Sequence, residues 1–162
     1  MGNRNTLVFI HGLESTAHGT KGRFFACHFP GMVIEDFTGD FSTRMKKLQK
    51  LLENKNNLIL VGSSYGGLMA VQYAMEHEGK IKKLILLAPA LNLPEFQRKP
   101  GKKLKVPAII YHGKNDDVVD PGEVKNIADE IFVRYEYRLV EDDHPLHKTF
   151  KKIRWSELLE TV

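Results

Sequence analysis

Four consecutive aliphatic residues, Leu58-Ile59-Leu60-Val61, run directly into Gly62-Ser63-Ser64-Tyr65-Gly66 and then into the apolar stretch Gly67-Leu68-Met69-Ala70-Val71-Gln72-Tyr73-Ala74-Met75. The first run reads as a strand buried on both faces. The last reads as a mostly buried helix that continues to Glu78 and is capped by Gly79. The G-x-S-x-G spacing between them is that of a sharp turn holding a serine hydroxyl above the end of a sheet. Gly62 and Gly66 lie two residues either side of Ser64, where a side chain would push the helix off the strand. Ser64 is therefore the first candidate for chemistry, as a nucleophile.

Similar short runs rich in Val, Ile, Leu and aromatics recur along the 162 residues: Leu7 to Ile10, Met32 to Glu35, Leu58 to Val61, Lys83 to Leu87, Ala108 to Tyr111 and Tyr135 to Val140. Helical or loop segments separate them. This alternation predicts an α/β chain, a three-layer α/β/α sandwich of about six mostly parallel strands with helices on both faces. Met45, Leu48, Leu51 and Leu52 recur at helical spacing after Asp40 or Ser42 as caps. Val124, Ile127, Ala128 and Ile131 do the same after Asp120-Pro121-Gly122-Glu123, which pairs Asp120 with Glu123 as a capping box and puts proline in the first turn. From Pro145, the one-sided set Leu146, Phe150 and Ile153 predicts a closing helix. No repeat, low-complexity tract or linker interrupts the chain, so residues 1–162 read as one domain.

The segment from Pro89 to Pro107 differs. Pro89, Pro94, Pro100, Gly101 and Pro107 preclude a long regular helix, while Leu91, Leu93 and Phe96 supply apolar side chains. It follows the fourth strand, and in such sheets ligands gather outside the carboxyl ends of the strands, so this loop is placed to wall a substrate pocket.

Composition narrows the function classes. A hydrophobic fraction of 42% with 27% charged residues is that of an ordinary globule, and no stretch is long and apolar enough to span a bilayer. Residues 1–6 lead into the first strand without a signal-peptide pattern, which gives a cytoplasmic expectation. Met1-Gly2 with Thr6 formally fits an N-myristoylation pattern but reads better as part of that lead. Cys27 is the only cysteine, which rules out an internal disulfide and a thiolate metal site; its surroundings, Arg23 to Phe29, read as an amphipathic turn with a buried, inert thiol. The net charge of +4 is a modest excess. Its two basic clusters, Arg98 to Lys105 and Lys148 to Arg154, read as a solvated loop and the outer face of the terminal helix. Without aromatic interleaving or a recognition motif, no nucleic-acid partner is expected.

A serine hydroxyl needs a neighbouring base to take its proton and a third group to fix that base's tautomer. Both types occur after later strands: His112-Gly113-Lys114-Asn115-Asp116-Asp117-Val118-Val119 follows the fifth, and Glu141-Asp142-Asp143-His144-Pro145-Leu146-His147 follows the sixth. Asp116 or Asp117 can serve as the acid, and His144 or His147 as the base. The order Ser, Asp, His is that of the α/β-hydrolase family, and the chain resembles a small, lidless member of it from the first strand to the last helix.

The resemblance implies Asp116 as the acid, four residues after the histidine of an H-G-x-x-D-x-x-V turn. It also implies His144 as the base in the loop after the last strand, with Val118 and Val119 turned toward the pocket. The oxyanion donors it implies are the backbone N–H groups of Tyr65, after the nucleophile, and Leu13, in the loop Val8-Phe9-Ile10-His11-Gly12-Leu13. His11, Gly12, Leu91, Leu93, Phe96 and Val118 are then the expected substrate contacts. If the first and third strands are neighbours, Ser64 and Leu13 both land at the crevice where the chain winds to opposite sides. The family's usual two leading antiparallel strands and its inserted helical lid are missing here, which implies an open site for small or short-acyl substrates.

The implied activity is that of a serine esterase with no cofactor and no metal, acting on a small-molecule ester or thioester; both bonds pass through the same acyl-enzyme. Rival readings explain less. Asp142, Asp143, His144 and His147 cluster, yet no paired-histidine metal signature is present, no G-K-[ST] follows the glycines, and dehalogenase chemistry would place aspartate at position 64. A binding protein that keeps the fold without turnover is the non-enzyme alternative.

Overall fold

The computed structural model describes residues 4–160, so the N-terminal acylation pattern lies partly outside the described residues. Six strands form a single all-parallel sheet. They are β1 (Thr6–Ile10), β2 (Val33–Ile34), β3 (Leu58–Ser63), β4 (Ile81–Leu87), β5 (Ala108–Gly113) and β6 (Tyr135–Val140), in the order β2-β1-β3-β4-β5-β6. Among the described residues, five α-helices flank it: α1 (Thr20–His28), α2 (Phe41–Leu52), α3 (Tyr65–His77), α4 (Pro121–Ile131) and α5 (Trp155–Leu159). None of them is long and apolar enough to cross a membrane.

Alternation along each strand sorts the core into two layers. Val8, Ile10, Leu58, Leu60, Leu84 and Leu86 face α2, α3 and α4. Their neighbours Phe9, Ile59, Val61, Ile85 and Leu87 face α1 and the C-terminal segment. Burying each such side chain contributes about 1.5–3 kcal/mol, so strands covered on both faces read as unbroken apolar runs. The predicted sandwich is therefore the observed one, with every strand parallel.

Local chemistry sets the helix starts. Asp40 caps α2 by accepting from the Thr43 N–H at 2.8 Å. Asp120 caps α4 in the same way through Glu123 N–H, with Pro121 in the first turn. The capping box is only half made, because Glu123 turns its carboxylate to the Asn92 amide at 2.8 Å.

Several expectations are corrected. Gly79 is no cap in left-handed conformation; α3 ends at His77 and a 3-10 turn, Glu78–Lys80, leads into β4. Cys27 is exposed on α1, a full helix where a turn was expected. Only Gly22 and Phe25 of α1 are buried, so it carries no periodic stripe; it is held by Phe25 packing against Phe9, Phe150 and Trp155 at 5.0, 5.6 and 4.9 Å between ring centroids. The tail is not one helix. Leu146 takes a left-handed φ of 58°, and the Asp142 carboxylate captures the N–H groups of Lys148 and Thr149, so only the 3-10 turn Phe150–Lys152 and the short α5 form. Part of the basic loop is pinned rather than free: Lys102 donates to the Met75 carbonyl and Arg98 pairs with Glu130.

Candidate active site

β1 and β3 are neighbours, with Ile10 opposite Gly62. The chain goes to β2 on one side and to β4 on the other, so a crevice opens at their carboxyl ends. Ser64 stands there at φ 54° and ψ −113°, a strained conformation for a non-glycine residue, costing about 1–3 kcal/mol. Backbone bonds hold it: its N–H donates to Leu87 O at 2.9 Å, and its carbonyl accepts from Gly67 and Ala90. A side chain at Gly62 would come within 2.5 Å of the Gly66 carbonyl, and one at Gly66 within 2.0 Å of the Ile10 carbonyl. Neither contact can be relieved without separating helix and strand.

The Ser64 Oγ lies 3.0 Å from His144 Nε2, and His144 Nδ1 lies 2.6 Å from Asp116 Oδ2. Because a carboxylate only accepts, the proton sits on Nδ1 and Nε2 presents its lone pair to the hydroxyl. Such an arrangement can draw the serine proton onto the imidazole. The Asp116 side chain is fully buried, while that of His144 keeps partial access to solvent. Burial alone raises the Asp116 pKa, but the Val119 N–H, the His144 ring and the Val118 N–H outweigh it and hold the carboxyl below its usual range. Asp117, the alternative acid, and His147, the alternative base, are not part of this run. The His147 ring bonds Asp143 at 2.6 Å and, with its own N–H, brings that carboxyl down to about 2.

Two supporting residues escaped the sequence reading. Asp142, 2% exposed, accepts from the N–H groups of Asp143, Lys148 and Thr149 and so shapes the loop that carries His144. His112, wholly buried, places Nε2 at 3.0 Å from both Asp116 Oδ2 and the Val119 carbonyl. The sequence signal for Asp142 is an acid repeated before His144; for His112 it is the H-G pair itself, four residues ahead of Asp116. Among the described residues, no cluster of three or more His, Cys, Asp or Glu is arranged to hold a metal ion.

A cavity of about 720 Å³ opens over Ser64 and His144. Gly12, Leu13, Tyr65, Leu93 and Val118 line it. At Gly12 an added side chain would sit 3.5 Å from Ser64 Cβ, so this loop lies against the serine. His11, Leu91 and Phe96 do not line the cavity. His11 is buried between the Phe37 N–H and the Gly12 carbonyl, while Leu91 and Phe96 point into the core, where apolar side chains gain most. The cavity is also lined by Thr20 and Lys21 from α1, with Leu146 and Phe150 from the tail. Lys21 ties the two by donating to the Pro145 carbonyl at 2.8 Å.

This sheet order, with a strained serine between β3 and α3, defines the α/β-hydrolase class. The model of the family described as serine aminopeptidase, S33, matches residues 11–102, more than half of the chain, and the chain belongs to that family of hydrolases. A protein of Oryza sativa subsp. japonica named "Probable 1-acylglycerol-3-phosphate O-acyltransferase" is 30% identical over 111 residues, covering 54% of this chain and 26% of that protein. The chain thus spans about a quarter of that relative's length. Among solved structures, a monoacylglycerol lipase from Paleococcus ferrophilus matches with a TM-score of 0.75 at 15% identity, covering 97% of this chain and 94% of that one. Mouse alpha/beta hydrolase domain-containing protein 10 matches with a TM-score of 0.70 at 20% identity, over 90% and 84%. Est1E from Butyrivibrio proteoclasticus, in a structure with ferulic acid bound, matches with a TM-score of 0.74 at 14% identity, over 97% and 87%. At these identities the structural matches speak to the fold.

Proposed function

We propose that the protein is a serine hydrolase cleaving carboxylic esters of small or short-acyl substrates through an acyl-Ser64 intermediate. The observation that carries this reading is the continuous hydrogen-bonded run from Ser64 through His144 to Asp116, whose first two members line the cavity. His144 takes the Ser64 proton as the hydroxyl attacks the ester carbonyl, then gives it to the departing alcohol; it next activates water to release the acid. Among the described residues, neither the Leu13 nor the Tyr65 backbone N–H donates to a protein acceptor, so both are available to the carbonyl oxygen as it becomes negative. Tyr65 also opens α3, whose dipole favours negative charge at that end. Leu93, Val118, Leu146 and Phe150 offer apolar walls for an acyl or alcohol group. The scheme uses no cofactor, and a thioester would follow the same path.

A fluorophosphonate probe tests the nucleophile: it is expected to label wild type and to leave Ser64→Ala unlabelled. Hydrolysis of p-nitrophenyl acetate or butyrate is expected to fall by several orders of magnitude in His144→Ala and by no more than a few-fold in His147→Ala. An inactive His147→Ala beside an active His144→Ala sinks the assignment. Esters and thioesters of increasing acyl length, compared by kcat/KM, separate the esterase reading from the thioesterase one, and absence of turnover with all of them leaves the non-catalytic alternative.

A further inference from the structure

We propose that His112 is a positioning residue for this site, a neutral donor whose Nε2–H completes the hydrogen bonding of the Asp116 carboxylate and so sets how strongly that carboxylate acts on His144. The inference rests on the reading of Ser64, His144 and Asp116 as the acylation machinery.

An ionised carboxylate offers about four lone-pair directions. Asp116 uses four: Oδ1 accepts the N–H groups of Val118 and Val119 at 2.9 and 2.8 Å, and Oδ2 accepts His144 Nδ1 at 2.6 Å and His112 Nε2 at 3.0 Å. The loop backbone supplies two of these and His144 the third. The fourth comes from the His112 ring, which also reaches the Val119 carbonyl. Without it, one side of Oδ2 faces a sealed interior, and the carboxylate becomes more basic and freer to rotate.

The state of His112 follows from its partners. Both groups near Nε2 are oxygens that only accept, so Nε2 carries the proton and shares it between Asp116 and the Val119 carbonyl. Among the described residues, its buried Nδ1 has no hydrogen-bond partner. Protonating that nitrogen would seal an unpaired N–H and a charge in the interior beside His144. Burial accordingly lowers the His112 pKa, against the pull of the Val119 carbonyl and Asp116. A lysine or arginine here would cancel the Asp116 charge; a neutral imidazole N–H tempers it.

The other groups around the pair are few. From β6 the Tyr137 ring packs 6.3 Å from His112, its hydroxyl engaged with the Pro121 carbonyl. Asp120 and Lys125 lie beyond it in the α4 region, near Tyr137. Ser64 closes the far side of His144.

The experiment compares wild type, His112→Phe and His112→Gln in pH profiles of kcat and kcat/KM, with a p-nitrophenyl ester as the probe substrate. Phe fills the volume without a donor, whereas the Gln amide can return an N–H near Nε2. In His112→Phe the acid limb of kcat/KM is expected to move up by about half to one pH unit, because a more basic carboxylate favours imidazolium at position 144. Its kcat is expected to fall about 10- to 100-fold with KM nearly unchanged, and His112→Gln to recover most of both. An acid limb that stays put in an active, folded His112→Phe overturns the inference alone, as does a Gln variant no better than Phe. Should His112→Phe not fold, nitrogen NMR of wild type decides: His112 as a neutral Nε2–H ring from pH 5 to 9 supports the proposal, and an Nδ1–H or charged ring overturns it. Wild type that neither labels with fluorophosphonate nor hydrolyses any ester instead removes the acylation reading, and this inference with it.

Discussion

Two His-Gly pairs stand at the carboxyl end of the sheet, His11-Gly12 after β1 and His112-Gly113 closing β5, and they use the same side chain in opposite ways. His11 Nε2 accepts the Phe37 N–H at 2.9 Å, so its proton lies on Nδ1, against the Gly12 carbonyl. His112 Nε2 has only acceptors around it and keeps the proton there. The first ring fastens the loop carrying the Leu13 N–H to the segment after β2. The second serves the carboxylate beside His144. Neighbours, rather than residue type, select the tautomer and with it the task.

The comparison breaks most visibly at the acid. Asp116→Asn presents His144 with an amide that can donate, which favours the wrong tautomer, and kcat is expected to fall about 10⁴-fold. Asp117→Asn, outside the hydrogen-bonded run, is expected to change kcat by less than a few-fold. Equal losses in the two, read with one p-nitrophenyl ester, would undo the role given to the β5 corner.

The paired glycines sharpen it next. An alanine at Gly113 would place its Cβ 2.4 and 2.5 Å from the carbonyl oxygens of Asp142 and Asp143, backbone that cannot step aside cheaply. An alanine at Gly12 meets Ser63 O at 3.4 Å and Ser64 Cβ at 3.5 Å, nearly ordinary contact. Thermal denaturation should therefore show Gly113→Ala destabilised by about 1–3 kcal/mol and Gly12→Ala close to wild type. Gly12→Ala, lying over the serine, is expected to act on turnover instead.

The smallest effect is on pH-dependent stability. Burial lowers the pKa of both His11 and His112 from 6.5, partly opposed at His11 by the Gly12 carbonyl and at His112 by the Val119 carbonyl. Below that value the unfolded chain binds protons that the folded chain refuses, so stability is full above about pH 6.5 and falls as pH drops toward the folded values. A loss in Tm on the order of a few degrees between pH 7 and 5 is expected, shrinking in a His11→Gln, His112→Gln double variant. A double variant with an unchanged slope would show that other groups govern the acid side.

Much of this architecture was legible in the residues. The apolar runs at β1, β3, β4, β5 and β6 are long enough to announce themselves, and Asp40 and Asp120 are caps whose chemistry acts within three residues. α1 was not legible, because the cluster holding Phe25 is assembled from Phe9, Phe150 and Trp155, scattered across the chain. The tail is illegible for a related reason: Leu146, Phe150 and Ile153 have helical spacing, but the buried Asp142 carboxylate claims the backbone N–H groups a helix would need.

At the site, the Ser64 elbow and the glycines around it could be read from short-range pattern, since a tight turn admits few residue types. Which of two acids and two histidines would meet, that His11, Leu91 and Phe96 would turn inward, and that α1 and the tail would wall the cavity were decided by packing. Local sequence determines what a segment can do on its own; the partners of a side chain are chosen when distant segments compete to bury apolar surface and satisfy every buried polar group at once.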